Sequence, residues 1–266
     1  MIHISSVQNE RVKQLVSLQS KAKSRKEKKQ FVVEGRRELH LAHLANYIIE
    51  TIFWCSDILD EAHFTSWFAS FKSDVQVVSV SLAVYQKMVM RDTTEGVVGI
   101  LDQKEQSLST WQPKKSTPLL VVLEAIEKPG NLGAILRTAD AAGVDAVLVT
   151  EEYTDIHNPN VIRSSVGGFF AVPVFVCSNE EAKAYLLENR IAIYTASLQK
   201  SVEYNANNYT QSTAFVMGSE AKGLSSFWYS KEATAIKIPM LGQVDSLNVS
   251  VASAVLIYEA IRQRNC

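Results

Sequence analysis

Five consecutive apolar residues, Leu119-Leu120-Val121-Val122-Leu123, constrain this chain more than any other stretch. A strand with one wet face alternates apolar and polar side chains, whereas an unbroken run marks a strand covered on both faces, the habit of parallel sheets. Parallel neighbours need a crossover, and one follows. Residues 132–142 carry a helical pattern, Gly143 ends it, and Asp145-Ala146-Val147-Leu148-Val149 is the next apolar run. This is a βαβ unit whose polar turn at residues 127–131 lies where such sheets bind ligands. Further apolar runs at 172–176, 191–196 and 214–217, with helical patterns at 160–169 and 179–189, extend the alternation. Residues 119–266 therefore read as an α/β domain with a mostly parallel sheet.

The first hundred residues alternate in the same way. A helix at 8–20 with Val12, Leu15, Val16 and Leu18 inward precedes strands at 31–34, 48–55, 75–78 and 96–101. Helices are expected at 36–45, at 57–71 capped by Asp57, and at 82–90. The aromatics Phe64, Trp67, Phe68 and Phe71 have helical spacing, which assigns them to a core. Residues 1–102 thus form a smaller α/β domain. Residues 103–118 are polar, hold two prolines and lack periodicity, as a linker does.

A net charge of −1 conceals an asymmetry. Residues 1–40 hold ten Lys/Arg against four Glu, while residues 41–266 hold 17 bases and 24 acids. Most of the positive excess lies in Lys21, Lys23, Arg25, Lys26, Lys28 and Lys29, a stretch suited either to a polyanion or to a solvated, mobile surface. The composition, 47% hydrophobic and 21% charged without a bilayer-length apolar run, is that of a soluble globular protein with no membrane partner. The N-terminus lacks the basic-then-apolar form of a signal peptide. Cys55, Cys177 and Cys266 are scattered without metal-ligand spacing and read as free thiols in a reducing cytoplasm. The five histidines have no partner pattern, so no metal is expected.

Three loops close apolar strands of the second domain: residues 129–137, 218–223 and 238–248. In the last, Pro239 stops a strand, Gly242 permits a sharp loop, and Ser246 stands where an N-cap would be. A final helix follows to Arg264, with Leu247, Val251, Ala254, Val255, Tyr258 and Ile261 at helical spacing. Arg137 sits on a helix otherwise lined with Leu, Ala and Ile, where a buried guanidinium needs an anionic partner or a function. Glu220 has little packing reason to lie in a glycine-bounded loop. Dinucleotide, P-loop, zinc-protease and serine-hydrolase fingerprints are absent.

Glu124 with Pro129-Gly130-Asn131-Leu132-Gly133-Ala134-Ile135-Leu136-Arg137, then Gly218-Ser219-Glu220-Ala221-Lys222-Gly223-Leu224, then Ile238-Pro239-Met240 with Gly242 and Ser246-Leu247-Asn248-Val249-Ser250 resemble, in order, the three motifs of the SpoU/TrmH family of the SPOUT superfamily. Its members are S-adenosylmethionine-dependent RNA ribose 2′-O-methyltransferases. Arg163-Ser164-Ser165-Val166-Gly167 is similar to a further family segment, and Arg163 joins the RNA-contacting candidates. The first half resembles the substrate-binding domain of rRNA-modifying members. The resemblance implies an α/β knot, a deep trefoil that departs from ordinary unknotted topology, and a homodimer formed through the C-terminal domain. It implies cofactor contacts at Gly218, Ile238 and Leu247, with Met240 and Gly242 shaping the pocket. It places Asn131, Arg137, Glu220, Ser246 and Asn248 around the acceptor, and implies RNA, of the ribosomal kind, as partner. A tRNA methyltransferase and a non-catalytic RNA-binding or ribosome-assembly factor are the alternatives.

Overall fold

A computed structural model describes residues 2–71, 74–90, 95–198 and 201–265. Cys266 lies outside the described residues. The chain divides into two compact units: the described residues through Glu105 with His157–Phe170, and Gln106–Ile156 with the residues from Ala171 onward.

The first unit runs β1 (Ile2–Ile4), α1 (Glu10–Ser20), α2 (Ala22–Lys28), β2 (Gln30–Glu34), α3 (Arg36–Leu44), β3 (Ile49–Trp54), α4 (Glu61–Phe68), β4 (Gln76–Val80), α5 (Leu82–Met88) and β5 (Val97–Asp102). Among the described residues its strands form a mixed sheet in the order β1-β4-β3-β5-β2. The apolar stripe of α1 (Val12, Leu15, Leu18) packs on Phe53, Val78 and Ile100 of that sheet and on Tyr85 and Met88 of α5. Asp60, rather than Asp57, caps α4, because its carboxylate accepts the His63 N–H at 3.0 Å. The aromatic expectation for this helix holds for its inner face, where Phe64 stacks on Trp54 with centroids 4.5 Å apart.

The basic stretch is helical, not loose. Arg25 is only 2% exposed, and its guanidinium donates to the Leu18 and Gln19 carbonyls at 2.6 and 3.1 Å. These are carbonyls at the C-terminal end of α1, which need donors. Arg25 is therefore corrected from a surface RNA contact to a helix clasp. Lys21, Lys23, Lys26, Lys28 and Lys29 remain exposed, with Lys29 paired to Glu105 at 2.5 Å.

The second unit contains β6 (Leu119–Glu124), α6 (Pro129–Ala142) and β7 (Ala146–Thr150). The expected helix at 160–169 is two short ones, α7 (Pro159–Ser165) and α8 (Gly168–Ala171), broken where Val166 and Gly167 take φ of 51° and 92°. Residues 157–170 group with the first unit, where Phe31 contacts His157 and Phe169 at centroid distances of 4.8 and 6.1 Å. The second unit continues with β8 (Val174–Cys177), α9 (Asn179–Glu188), β9 (Ala192–Ala196), β10 (Val202–Glu203), β11 (Thr213–Met217), β12 (Ala233–Lys237) and α10 (Val249–Arg264). Every described strand pair here is parallel, in the order β10-β12-β9-β11-β6-β7-β8. All six residues of β6 are buried, as the unbroken apolar run requires. Burial pushes the Cys177 thiol up to about 12.

One expectation for α10 is corrected. Its N-cap is Asn248, whose Oδ1 accepts the Ser250 N–H at 2.9 Å, not Ser246. Its inward face is Val249, Ser253, Leu256, Ile257 and Ala260. Of the apolar residues at helical spacing, Val251 and Tyr258 point out, exposed by 49% and 50%, and Leu247 precedes the helix.

Candidate active site

The carboxyl end of the parallel sheet carries the site. From β6 the chain runs out through β7 and β8 on one side, while β11, β9 and β12 lie on the other. Such a reversal leaves a crevice beyond the strand ends. A cavity of about 570 Å³ opens there, walled by the ends of β9 (Ala196, Ser197), β11 (Met217, Gly218) and β12 (Ile236, Lys237), and by Val249, Ala252 and Leu256 of α10. Its size lies within the ~300–1,000 Å³ of small-molecule sites.

The loop after β11 folds back on itself. The Gly223 N–H donates to the Ser219 carbonyl at 2.9 Å, and the Lys222 N–H to Ser219 Oγ at 3.1 Å. A Cβ on Gly218 would run into the Gly223 carbonyl and the Leu224 nitrogen, so only glycine lets the two arms approach.

Glu220, carried on this loop, joins three chain segments. Its Oε1 accepts from Asn131 Nδ2 and from Asn248 Nδ2, both at 2.7 Å, and its Oε2 faces Lys128 Nζ at 2.6 Å. Asn248 Nδ2 also reaches Asn131 Oδ1 at 3.2 Å. An ionised carboxylate is acceptor-only and can take several such donors. The Lys128 ammonium, foremost, holds the Glu220 carboxyl below the usual carboxylate range; burial opposes it, and the Asn131 amide and Val249 N–H add to it. The same pair raises the Lys128 ammonium. Glu220 is thus an engaged anion at neutral pH, fitted to orient amides rather than to collect a proton.

Of the residues expected at the cofactor, Gly218, Ile238, Met240 and Leu247 line the cavity, and Glu220, Ser246 and Asn248 lie in the same wall. Gly242 does not: it stands on the exposed part of the 238–248 loop, with open space where a Cβ would be. Asn131 reaches the site through Glu220. Arg137 is exposed and outside the wall, contrary to the burial expected for it. Helix α6 buries Leu132, Ile135, Leu136 and Ala139, and Arg137 lies about 100° round from Leu136. Among the described residues no ion pair neutralises its guanidinium. Arg163 is likewise exposed, on α7 of the first unit, beside a small recess lined by Val32, Glu34 and Met90.

Sequence reasoning missed Lys128, Ser197, Tyr229, Lys237 and Asp245 in the cavity wall. Lys128 left a faint signal, a lysine directly before the helix-opening Pro129. Ser197 and Tyr229, whose hydroxyls lie 3.3 Å apart, meet only through the sheet and left none. Among the described residues no three metal-ligating side chains converge, and no helix is long and apolar enough to cross a membrane.

Family profiles match two segments: the SpoU rRNA Methylase family over residues 118–258 and the MRM3-like substrate binding domain over residues 9–99. The 23S rRNA (guanosine(2553)-2'-O)-methyltransferase RlmP of Bacillus subtilis (strain 168) is 28% identical over 97% of this chain and 98% of its own. The 23S rRNA (guanosine-2'-O-)-methyltransferase RlmB of Vibrio vulnificus (strain CMCP6) is 34% identical over 72% of this chain and 82% of its own. A crystal structure of an AdoMet-bound rRNA methyltransferase from Sinorhizobium meliloti aligns with a TM-score of 0.88 at 27% identity, covering 98% of this chain and 97% of that one. With the motifs, the parallel sheet and a family profile spanning more than half its residues, this chain belongs to the SpoU rRNA methylase family.

Proposed function

We propose that this protein methylates a ribose 2′-hydroxyl of ribosomal RNA, with S-adenosylmethionine as the methyl donor. The observation that carries the reading is the Glu220 carboxylate, which draws Asn131 and Asn248 from two other chain segments to the edge of one cavity. When bound, S-adenosylmethionine supplies an electrophilic methyl group on a sulfonium sulfur. The chain's task would then be to hold the acceptor hydroxyl in place and to stabilise charge on its oxygen while its proton passes to solvent water. Gly218, Ile238 and Leu247 would hold the cofactor through backbone groups in the cavity that Met217, Ile236, Leu256 and Met240 also line. Asn131, Glu220, Ser246 and Asn248 orient the acceptor ribose. A guanidinium, with a pKa of roughly 12 or higher, is a poor base. Arg137 therefore anchors an RNA phosphate and offsets developing alkoxide charge, a role supported by its exposure and by its making no ion pair among the described residues.

Residues 1–102 form the RNA-gripping domain in this reading and residues 119–266 the methyltransferase domain. Lys21, Lys23, Lys26, Lys28, Lys29 and Arg163 meet phosphates. The outward face of α10 at Val251 and Tyr258 pairs with a second copy, since two large exposed apolar side chains two helical turns apart on one face ask for cover. The trefoil knot belongs to the same reading and is supported by the family match and by α10 packing on α6 and β11. The setting is the cytoplasm.

The test is methylation of total RNA from a strain lacking the gene, using purified protein and labelled S-adenosylmethionine, with Arg137→Ala as control. Label in rRNA at one alkali-resistant internucleotide bond is expected. Label confined to tRNA would move the substrate, and cofactor binding without transfer to any RNA would sink the enzymatic reading.

A further inference from the structure

Lys128 stands where helix chemistry gives no reason for a lysine. It is the N-cap residue of α6 and makes no side-chain cap hydrogen bond. The partial positive charge of a helix N-terminus disfavours a cation there, and N-caps are normally Ser, Thr, Asp or Asn. Its side chain is 68% exposed, so its ion pair with Glu220 adds little to folding stability. Yet its ammonium sits 2.6 Å from Glu220 Oε2, it lines the cavity, and it lies three residues before Asn131. Pro129, the first residue of α6, fixes the backbone directly after it.

The two carboxylate oxygens of Glu220 divide their work. Oε2 is taken by Lys128, and this leaves Oε1 turned toward the Asn131 and Asn248 amides. The remaining polar atoms of those carboxamides are thereby assigned. Asn131 Oδ1 accepts from Asn248 Nδ2, and Asn248 Oδ1 accepts the Ser250 N–H and hydroxyl at 2.9 and 2.6 Å. Without the ammonium, Oε2 loses its one charged partner, the carboxylate is held from the Oε1 side alone by two neutral amides, and its charge faces an incoming polyanion unneutralised.

We infer that Lys128 is a positioning residue for methyl transfer: it fixes the rotamer of Glu220 and, through it, the two carboxamides that orient the acceptor ribose. The inference rests on the proposed methyltransferase reading of this site. Lys128 touches neither reacting atom and acts through Glu220.

The experiment compares Lys128→Met and Lys128→Arg with the wild type in two measurements. The first is steady-state methylation of 23S rRNA purified from a strain lacking the gene. Lys128→Met should lower kcat about 10- to 100-fold, the scale on which misplaced reacting groups slow a reaction, with KM for the RNA little changed and Lys128→Arg restoring most of the rate. A loss carried wholly by KM would make Lys128 a surface charge that attracts RNA, and the inference would fall. The second needs no substrate: the side-chain amide resonances of Asn131 and Asn248 should collapse toward solvent values in Lys128→Met and keep their dispersion in Lys128→Arg. Unmoved amide resonances overturn the inference whatever the rates. Should the wild type transfer no methyl group, the functional reading fails, and the amide resonances still decide whether Lys128 positions the cluster.

Discussion

Glu124, the last residue of β6, is 2% exposed, and its carboxylate meets donors alone. Oε1 accepts from Asn179 Nδ2 at 2.7 Å and from Ser225 Oγ at 2.6 Å, and Oε2 accepts the Ser225 N–H at 2.7 Å. The Asn179 amide cannot turn over, because its Oδ1 accepts from Trp228 Nε1 at 3.1 Å and an indole N–H only donates. Glu124→Gln, although isosteric, therefore has no good orientation. With its NH2 at the Oε2 position it faces the Ser225 N–H; at the Oε1 position it faces Asn179 Nδ2. One buried donor is left unpaired either way, at about 1–3 kcal/mol. For a chain of this size each kcal/mol moves Tm by about 2–4 °C, so a drop of roughly 4–8 °C is expected near the middle of that range. Scanning calorimetry at pH 7 measures it, and amide exchange at Ser225 should quicken in parallel. A Glu124→Gln protein with unchanged Tm and unchanged exchange would mean that every buried donor here still finds an acceptor, and the donor count would be wrong.

Gly218→Ala forces a methyl group against the Gly223 carbonyl, and overpacking of this kind costs about 1–3 kcal/mol. Calorimetric titration should show Kd for S-adenosylmethionine rising about fivefold or more, and an unchanged Kd would refute the close approach of the two arms. For Glu220 the folded pKa lies below the ordinary 4.5, so the carboxylate persists as pH falls to that value and is protonated only lower. The ion pair's stabilisation is accordingly present above pH 4.5 and lost beneath it. The pH–rate profile should then carry no Glu220-dependent limb near neutrality; a limb at about pH 6–7 that vanishes in Glu220→Gln would make this residue a general base. In sedimentation the wild type should run as a dimer and Val251→Glu with Tyr258→Glu as a monomer; a monomeric wild type would remove the partner proposed for this face of α10.

What could be read in advance divides along physical lines. The unbroken run in β6 announced a doubly covered parallel strand, and the loop motifs pointed to residues several of which line one cavity, because both signals are local. The face of α10 could not be read. Val251 and Tyr258 on one side compete with Leu256 and Ile257 on the other, and a helix apolar all round gives a period without a direction. The buried face carries the small Ser253 and Ala260, and α10 packs on α6 and β11, neighbours that the sequence of the helix alone does not show. Arg25 was misread for a related reason: its charge is visible in sequence, but the carbonyls of α1 that consume it are not. Lys128 pairs with a residue on a different loop, so neither spacing nor periodicity could connect them.

The Glu124 and Glu220 networks share one strand register. Leu123 of β6 pairs with Met217 of β11, which brings the ends of the two strands level. The residues that follow are Glu124 on one strand, and on the other Gly218 and the loop that carries Glu220 and returns to Ser225. A slip of one residue would turn every side chain of the displaced strand to the opposite face. It would strip Glu124 of the Ser225 and Asn179 donors and carry Glu220 away from Asn131 in the same movement. The buried carboxylate therefore penalises the very misalignments that would dismantle the exposed one. Damage to Glu124 should accordingly reach catalysis through the placement of the Gly218–Glu220 loop, even though Glu124 itself lies outside the cavity wall.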